Sequence, residues 1–247
     1  MSKNTPKTEL LYKKSIPIDQ LNTEDAINLM IDEQKKAALT VKKSSQSIKD
    51  AINAIYKHLE LHQNSRLIYV GAGTSGRIGI QDGVELYPTF NWPKERLDYL
   101  IAGGIKAIVH SIENAEDDII SAKKIVLEKN INSKDVVIGL AASGNTPFTC
   151  KIMEEAKRNN ALTISISNNC RGEILKYANI GIILDTKEEV IAGSTRLKAG
   201  TAQKICLNVI SSMVMIKLGR IKNGLMIDMV PTNNKLKKRK ARIDLVK

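Results

Sequence analysis

Three turns in this chain gather glycines, hydroxyl side chains and backbone N–H groups at spacings that could hold an anion. They are GAGTSG (71–76), AASGNTP (141–147) and GSTRLKAGTAQK (193–204). The first follows the apolar run LIYV and leads through RIGIQDGV to a carboxylate, Glu85. Gly71 and Gly73 let the backbone approach a ligand, Thr74 and Ser75 offer hydroxyls, and the positive end of a following helix favours negative charge. The six residues fit G-x-G-x-x-G. A dinucleotide site also needs an acid at the end of the second strand to hold a ribose, and that strand ends LIAGG, with Asp98 at its start. A Walker loop needs G-K-[ST], which GAGTSGR lacks. By itself Thr74 is equally well explained as a helix cap.

The second turn repeats the pattern. Ser143, Gly144, Asn145 and Thr146 follow an apolar run, and Pro147 marks a helix start. Two such turns at the carboxyl ends of parallel strands converge where open sheets bind ligands, and their chemistry suits a phosphate with sugar hydroxyls. In the third turn, Ser194, Thr195, Arg196, Lys198 and Thr201 lead into a long helix. Arg196 and Lys198 could neutralise a phosphate or carboxylate. The alternative is a loop packed on the sheet. Glu116, with Glu113, Asp117 and Asp118, reads on spacing alone as an acid at a helix start, favourable to its dipole. Glu85 lies at a helix end where a carboxylate is unfavourable, which points to a functional reason.

The elements that position these turns follow from hydrophobic period. Residues 23–43 predict a helix capped by Thr23, with Ala26, Leu29, Met30 and Glu33 at helical spacing. A second helix is expected over 47–61, with Ile48, Ile52, Ile55 and Leu59 on one stripe. Five apolar runs follow, at 66–70, 97–102, 135–141, 162–167 and 180–184, alternating with helices at about 75–86, 115–129, 147–159, 171–177 and 196–218. Continuous apolar strands alternating with helices predict a parallel sheet covered on both faces. The fold class is α/β, a three-layer α/β/α domain with a five-stranded parallel sheet. An N-terminal helical arm is placed at 1–60, the sheet domain at 61–225 and a basic tail at 226–247.

Composition bounds the partners. The chain has 247 residues, 43% hydrophobic, with a formal net charge of +12 concentrated in lysine-rich ends that read as solvated. Aromatics are only 4%, too few for base-stacking platforms, so no nucleic-acid partner is expected. Cys150, Cys170 and Cys206 are far apart and odd in number, which argues for reduced thiols in a cytoplasm and against a zinc site. No apolar leader opens the chain, and the apolar stretch 205–219 is too short to span a bilayer. His58, His62 and His110 lack metal-ligand spacing, and no metal is expected.

Four runs in order, GAGTSGRIGIQDGVE, IENAEDD, AASGNTP and AGSTRLKAGTAQK, resemble the N-acetylmuramic acid 6-phosphate etherases, from about Thr8 to about Leu236. The resemblance implies the sugar isomerase (SIS) fold, an arrangement that glucokinase regulatory proteins share. It implies elimination of D-lactate from C3 of N-acetylmuramic acid 6-phosphate and addition of water, giving N-acetylglucosamine 6-phosphate in cell-wall sugar recycling. The C2 proton needs a base and the poor alkoxide leaving group needs an acid, so one ionised and one protonated carboxyl suffice without cofactor or metal. The resemblance places the acid on Glu85 and the base on Glu116. It places substrate binding on Gly73, Thr74, Ser75, Ser143, Gly144, Asn145, Thr146, Ser194, Thr195, Arg196 and Lys198. Because SIS domains pair, it implies a cytoplasmic homodimer with the site near its interface and no membrane partner. Tyr12 stands at the family's asparagine position, and Gly83 and Val84 replace a small and hydroxyl pair before the acid. The chain also turns basic at LKKRKAR where the family continues into a small helical segment, so it is expected to be C-terminally shortened. A sugar-phosphate-binding regulator without turnover and a phosphosugar isomerase are the competing readings. Both glutamates weigh against the first, and AGSTRLKAGTAQK against the second.

Overall fold

A computed structural model describes residues 5–13 and 16–245. Parts of the lysine-rich ends read as solvated, residues 1–4, 14–15 and 246–247, lie outside the described residues. The apolar runs form β1 (Leu67–Gly71), β2 (Leu97–Ile101), β3 (Val136–Ala141), β4 (Leu162–Ser167) and β5 (Ile180–Ile183). All pair in parallel, in the order β2-β1-β3-β4-β5. The chain order switches direction between β1 and β3, the two strands that carry the first two turns. Those turns therefore open side by side at the carboxyl edge, where open α/β sheets take ligands.

The helices are α1 (Thr23–Lys43), α2 (Ser45–Leu61), α3 (Gly73–Val84), α4 (Leu86–Phe90), α5 (Ile119–Glu128), α6 (Pro147–Arg158), α7 (Lys198–Lys217) and α8 (Asn234–Asp244). Alternation along the strands sends Tyr69, Ile138, Leu140, Ile164 and Ile182 to one face, in a core with Ala37, Ile55, Leu207 and Ile210 of α1, α2 and α7. The opposite face buries Ile68, Val70 and Val137 with Val126 of α5 and Phe148, Ile152 and Met153 of α6. Each fully buried Ile or Leu contributes roughly 1.5–3 kcal/mol of transfer free energy. By length and hydropathy (1.2) α7 could cross a bilayer, but 56% of that stretch is buried inside the fold, as in a core helix.

Several local expectations shift. The cap of α1 is Asn22, whose side chain accepts the N–H of Asp25, and Thr23 is already helical. The expected helix at 115–129 is split: a 3-10 turn, Ala115–Asp117, precedes α5, which Asp118 caps through the N–H of Ser121. The expected helix at 171–177 is only a 3-10 turn, Glu173–Tyr177. There Gly172 is extended (φ −61°, ψ 133°) where it packs against Gly144, so helical backbone begins only at Glu173. A two-stranded hairpin, β6 (Ile221–Lys222) and β7 (Leu225–Met226), precedes α8, in which Asn233 caps the basic stretch and Ile243 is buried.

Candidate active site

Close backbone packing shapes the first two turns. A Cβ on Gly71 would lie 2.7 Å from the Gly76 nitrogen, so β1 and the first turn of α3 meet backbone to backbone. Gly144 has φ +77°, and a Cβ there would lie 2.4 Å from Gly172 Cα. Only glycine tolerates both the conformation and the contact. Ser143 Oγ accepts the N–H of Asn145 at 3.1 Å, and Asn145 Oδ1 accepts the N–H of Glu173 at 2.9 Å, which fixes the second turn.

The helix starts differ in one respect that bears on anion binding. Helices α1, α5 and α8 have side-chain caps. The first N–H groups of α7, those of Lys198 and Ala199, go to the Glu189 carboxylate at 3.1 and 2.7 Å. Helices α3 and α6 start with no side-chain cap, after Ala72 and Thr146, as do α2 and the short α4, each of which follows another helix directly. Thr74, one candidate for a cap, lies inside the first turn of α3. The starts of α3 and α6 both stand at the switch point, where the positive end of each dipole favours an anion. Gly73, Thr74 and Ser75 belong to one, and Ser143, Gly144, Asn145 and Thr146 lead into the other.

The third turn borders the first. A Cβ on Gly200 would lie 3.3 Å from both Thr195 O and Thr74 Cγ2. Ser194 and Thr195 are half-buried there and Arg196 is exposed. Lys198 departs from the expectation of a ligand contact. It is 3% exposed, and its ammonium donates to Glu33 Oε2 at 2.7 Å and to the carbonyl of Glu188 at 2.8 Å. Burial opposes ionisation of Glu33, but hydrogen bonds from Lys198, Lys36 and Tyr12 outweigh it and hold the carboxyl at about 2. Glu189 is pushed the other way, above the usual carboxylate range, chiefly by burial.

The two glutamates are not brought together within one chain. Glu116 Oε1 lies 3.2 Å from where a Cβ of Gly73 would stand, at the mouth of the first turn. Arg77 supports that neighbourhood by donating to the carbonyls of Ala107, Ile108 and His110 at 2.9–3.0 Å. Glu85 follows the far end of α3, twelve residues on, which at 1.5 Å per residue is about 18 Å away. Both carboxylates are exposed. The end of α3 is firmly held. Buried Asp82 accepts from Tyr69 Oη (3.1 Å), Asn208 Nδ2 (2.7 Å) and Ser211 Oγ (3.1 Å). Burial raises the Asp82 carboxyl above its ordinary range, against those hydrogen bonds.

Sequence reasoning missed the N-terminal contribution. Residues 5–12 cross the carboxyl edge. The Lys7 N–H donates to Asn169 Oδ1 at 2.6 Å, and Asn169 Nδ2 donates to Thr8 Oγ1 at 3.2 Å. Lys7, Ser143, Asn145, Asn169, Arg171 and Lys176 line an open cleft of about 730 Å³ beside the second turn. Lys7 and Asn169 lie 162 residues apart, beyond any motif spacing. Among the described residues no three His, Cys, Asp or Glu side chains cluster as around a metal ion.

A five-stranded parallel sheet with two hydroxyl-rich turns and two open helix ends at its switch point is the arrangement of a SIS domain, the class the fold and site define. Residues 47–157 match the family described as the glucokinase regulatory protein N-terminal SIS domain. The fold is also that of a phosphoheptose isomerase from Francisella tularensis, with TM-score 0.58 and 18% identity over 79% of this chain and 100% of that one. Curated relatives are nearer in sequence. The N-acetylmuramic acid 6-phosphate etherase of Clostridium acetobutylicum is 45% identical and that of Lactobacillus johnsonii 46%, each over 96% of this chain and 78% of the relative. The chain belongs to the N-acetylmuramic acid 6-phosphate etherase family.

Proposed function

We propose that the protein is a carbon–oxygen lyase that converts N-acetylmuramic acid 6-phosphate and water to N-acetylglucosamine 6-phosphate and D-lactate. The observation that carries this reading is the Glu116 carboxylate beside Gly73 at the open start of α3, with the open start of α6 following the neighbouring strand. The turns at 73–75 and 143–146 bind phosphate and sugar hydroxyls, and Ser194, Thr195 and Arg196 close the site. Glu116 takes the C2 proton as the C2–C3 double bond forms and the C3–O bond breaks. The electron pair leaves on the lactyl oxygen, which Glu85 protonates. Water then adds at C3, giving a proton to Glu85, while Glu116 returns one to C2.

The separation of about 18 Å along α3 means that one chain cannot do this alone. In our reading the protein is a homodimer, and each site takes Glu116 from one copy and Glu85 from the other. Ile105, Val109, Ile112, Ile119 and Ile120, all exposed around Glu116, offer the second copy an apolar face. We place the enzyme in the cytoplasm, where its three free cysteines stay reduced. We read 1–60 as an arm, 61–225 as the SIS domain and 226–247 as a basic tail.

The test is D-lactate release by the purified protein, beside Glu85→Gln and Glu116→Gln. Each variant is expected to lose about 10²–10⁴-fold in rate. The separation of the glutamates within a chain also favours a second reading, a sugar-phosphate-binding regulator. Product-free binding by folded wild type would establish that reading and refute the enzyme.

A further inference from the structure

The strap between β5 and α7 carries Ser194, Thr195 and Arg196, yet residues 186–197 form no helix or strand. Its position at the first turn has to be set from outside. Four attachments do so. At its base, Glu189, 1% exposed, closes onto the N–H groups of Lys198 and Ala199. At its tip, the N–H of Gly193 donates to the carbonyl of Thr8 at 3.1 Å. Along its flank, Val190 and Leu197 pack with Leu29 of α1.

The fourth attachment is a buried ion pair. Glu33 of α1 is 4% exposed and Lys198 is 3% exposed. The Lys198 ammonium bridges Glu33 Oε2 and the strap's own carbonyl at Glu188, so one group joins the helical arm to the strap. Glu33 is itself held: Tyr12 Oη donates to its Oε1 at 2.6 Å, and Lys36 bonds the same oxygen. Apolar residues of similar volume would stabilise this interior as well or better, because two charges lose their hydration there. What an ion pair adds is direction. It fixes the rotation of the α7 start and the register of the strap against α1.

We propose that Glu33 is a positioning residue for substrate binding: through Lys198 it holds the strap so that Thr195 and Arg196 stay at the first hydroxyl turn. This rests on the etherase reading for its kinetic readout, and on sugar-phosphate binding for a second readout. Glu33 touches no substrate. Its expected signature is therefore weaker binding with the chemical step nearly intact.

The experiment compares wild type with Glu33→Gln, Tyr12→Phe and the double variant Glu33→Gln/Lys198→Met. It reads the thermal midpoint, kcat and KM for D-lactate release, and the calorimetric Kd for N-acetylglucosamine 6-phosphate. Misplacing a binding group by about 1 Å costs up to about 100-fold. Glu33→Gln is therefore expected to raise KM and Kd about tenfold or more while kcat changes less than about threefold. Tyr12→Phe is expected to shift KM and Kd in the same direction by less. The double variant is expected to regain the thermal midpoint without regaining Kd. Wild-type KM and Kd in folded Glu33→Gln would overturn the proposal, as would a loss confined to kcat. If Glu33→Gln does not fold, wild-type Kd in both other variants overturns it. A wild type that binds but releases no lactate refutes the etherase reading alone, and the Kd series still decides the role of Glu33.

Discussion

Mixing two dead variants should restore activity if the carboxylates work across a dimer. The perturbation is Glu85→Gln in one preparation and Glu116→Gln in another, each expected to be nearly inactive. Within a chain the two positions are separated by α3, Gly73–Val84, about 18 Å of rigid helix. A reacting C2–C3 pair needs both groups within hydrogen-bond reach, about 3 Å each, so no side-chain rotation closes the gap. In a heterodimer one site receives Glu116 from the first variant and Glu85 from the second, both intact, and the other site receives two glutamines. Random reassortment of equal amounts makes about half of the dimers mixed, each with one working site of two. The expected recovery is about one quarter of wild-type turnover. The assay is D-lactate release after co-refolding, with subunit exchange verified by differently tagged chains. No recovery in a preparation shown to contain heterodimers would refute the shared site.

Other consequences are as direct. Gly144→Ala should cost about 2 kcal/mol or more, because the added Cβ meets Gly172 Cα at φ +77°; a thermal midpoint within 1 °C of wild type would contradict this. The Glu33 carboxyl, held at about 2 against an ordinary 4.5, stabilises the fold above pH of about 4.5. That contribution is lost as pH falls toward 2. A carboxyl NMR titration placing Glu33 above pH 4 would be incompatible with the buried pair. Native protein should be alkylated quickly at Cys170 alone, since Cys150 and Cys206 are buried and their thiols pushed up to about 12 by burial. Mass spectrometry showing rapid labelling of either buried cysteine would count against this core.

The strands were legible because a sheet covered on both faces demands unbroken apolar runs, and each lies within one residue of its expected bounds. The hydroxyl turns were legible because strand, small residues and helix start occur in local order. What was not legible depends on distant partners. Lys198, beside Thr195 and Arg196, reads as a ligand contact until Glu33 appears 165 residues away. The clue was Glu33 itself, a carboxylate on the apolar stripe of α1. Gly83, which replaces a small residue of the family's pattern, also has its reason in space. A Cβ there would lie 2.5 Å from Tyr99 Cε1 and 2.9 Å from Tyr69 Cε2, so the tyrosines that crowd α3 exclude any larger residue. The helix at 171–177 was shortened because Gly172 lies extended (φ −61°, ψ 133°) where it packs on Gly144, a contact no local pattern reveals.

The open starts of α3 and α6 also bear on how the protein would behave in an ordinary buffer. Among the described residues neither start carries a side-chain cap, so on the proposed function a small oxyanion is expected to bind there. On the proposed function, inorganic phosphate would be both a competitor for the sugar's own phosphate and a stabiliser of the fold. At ten times its dissociation constant it would add about 1.4 kcal/mol to folding stability while raising apparent KM about elevenfold. A preparation in phosphate would look sturdier and slower than the same protein in a sulfonate buffer, and the two effects would report one equilibrium. In a cell, where free phosphate is plentiful, the enzyme's appetite for its substrate would follow phosphate status without any separate regulatory site.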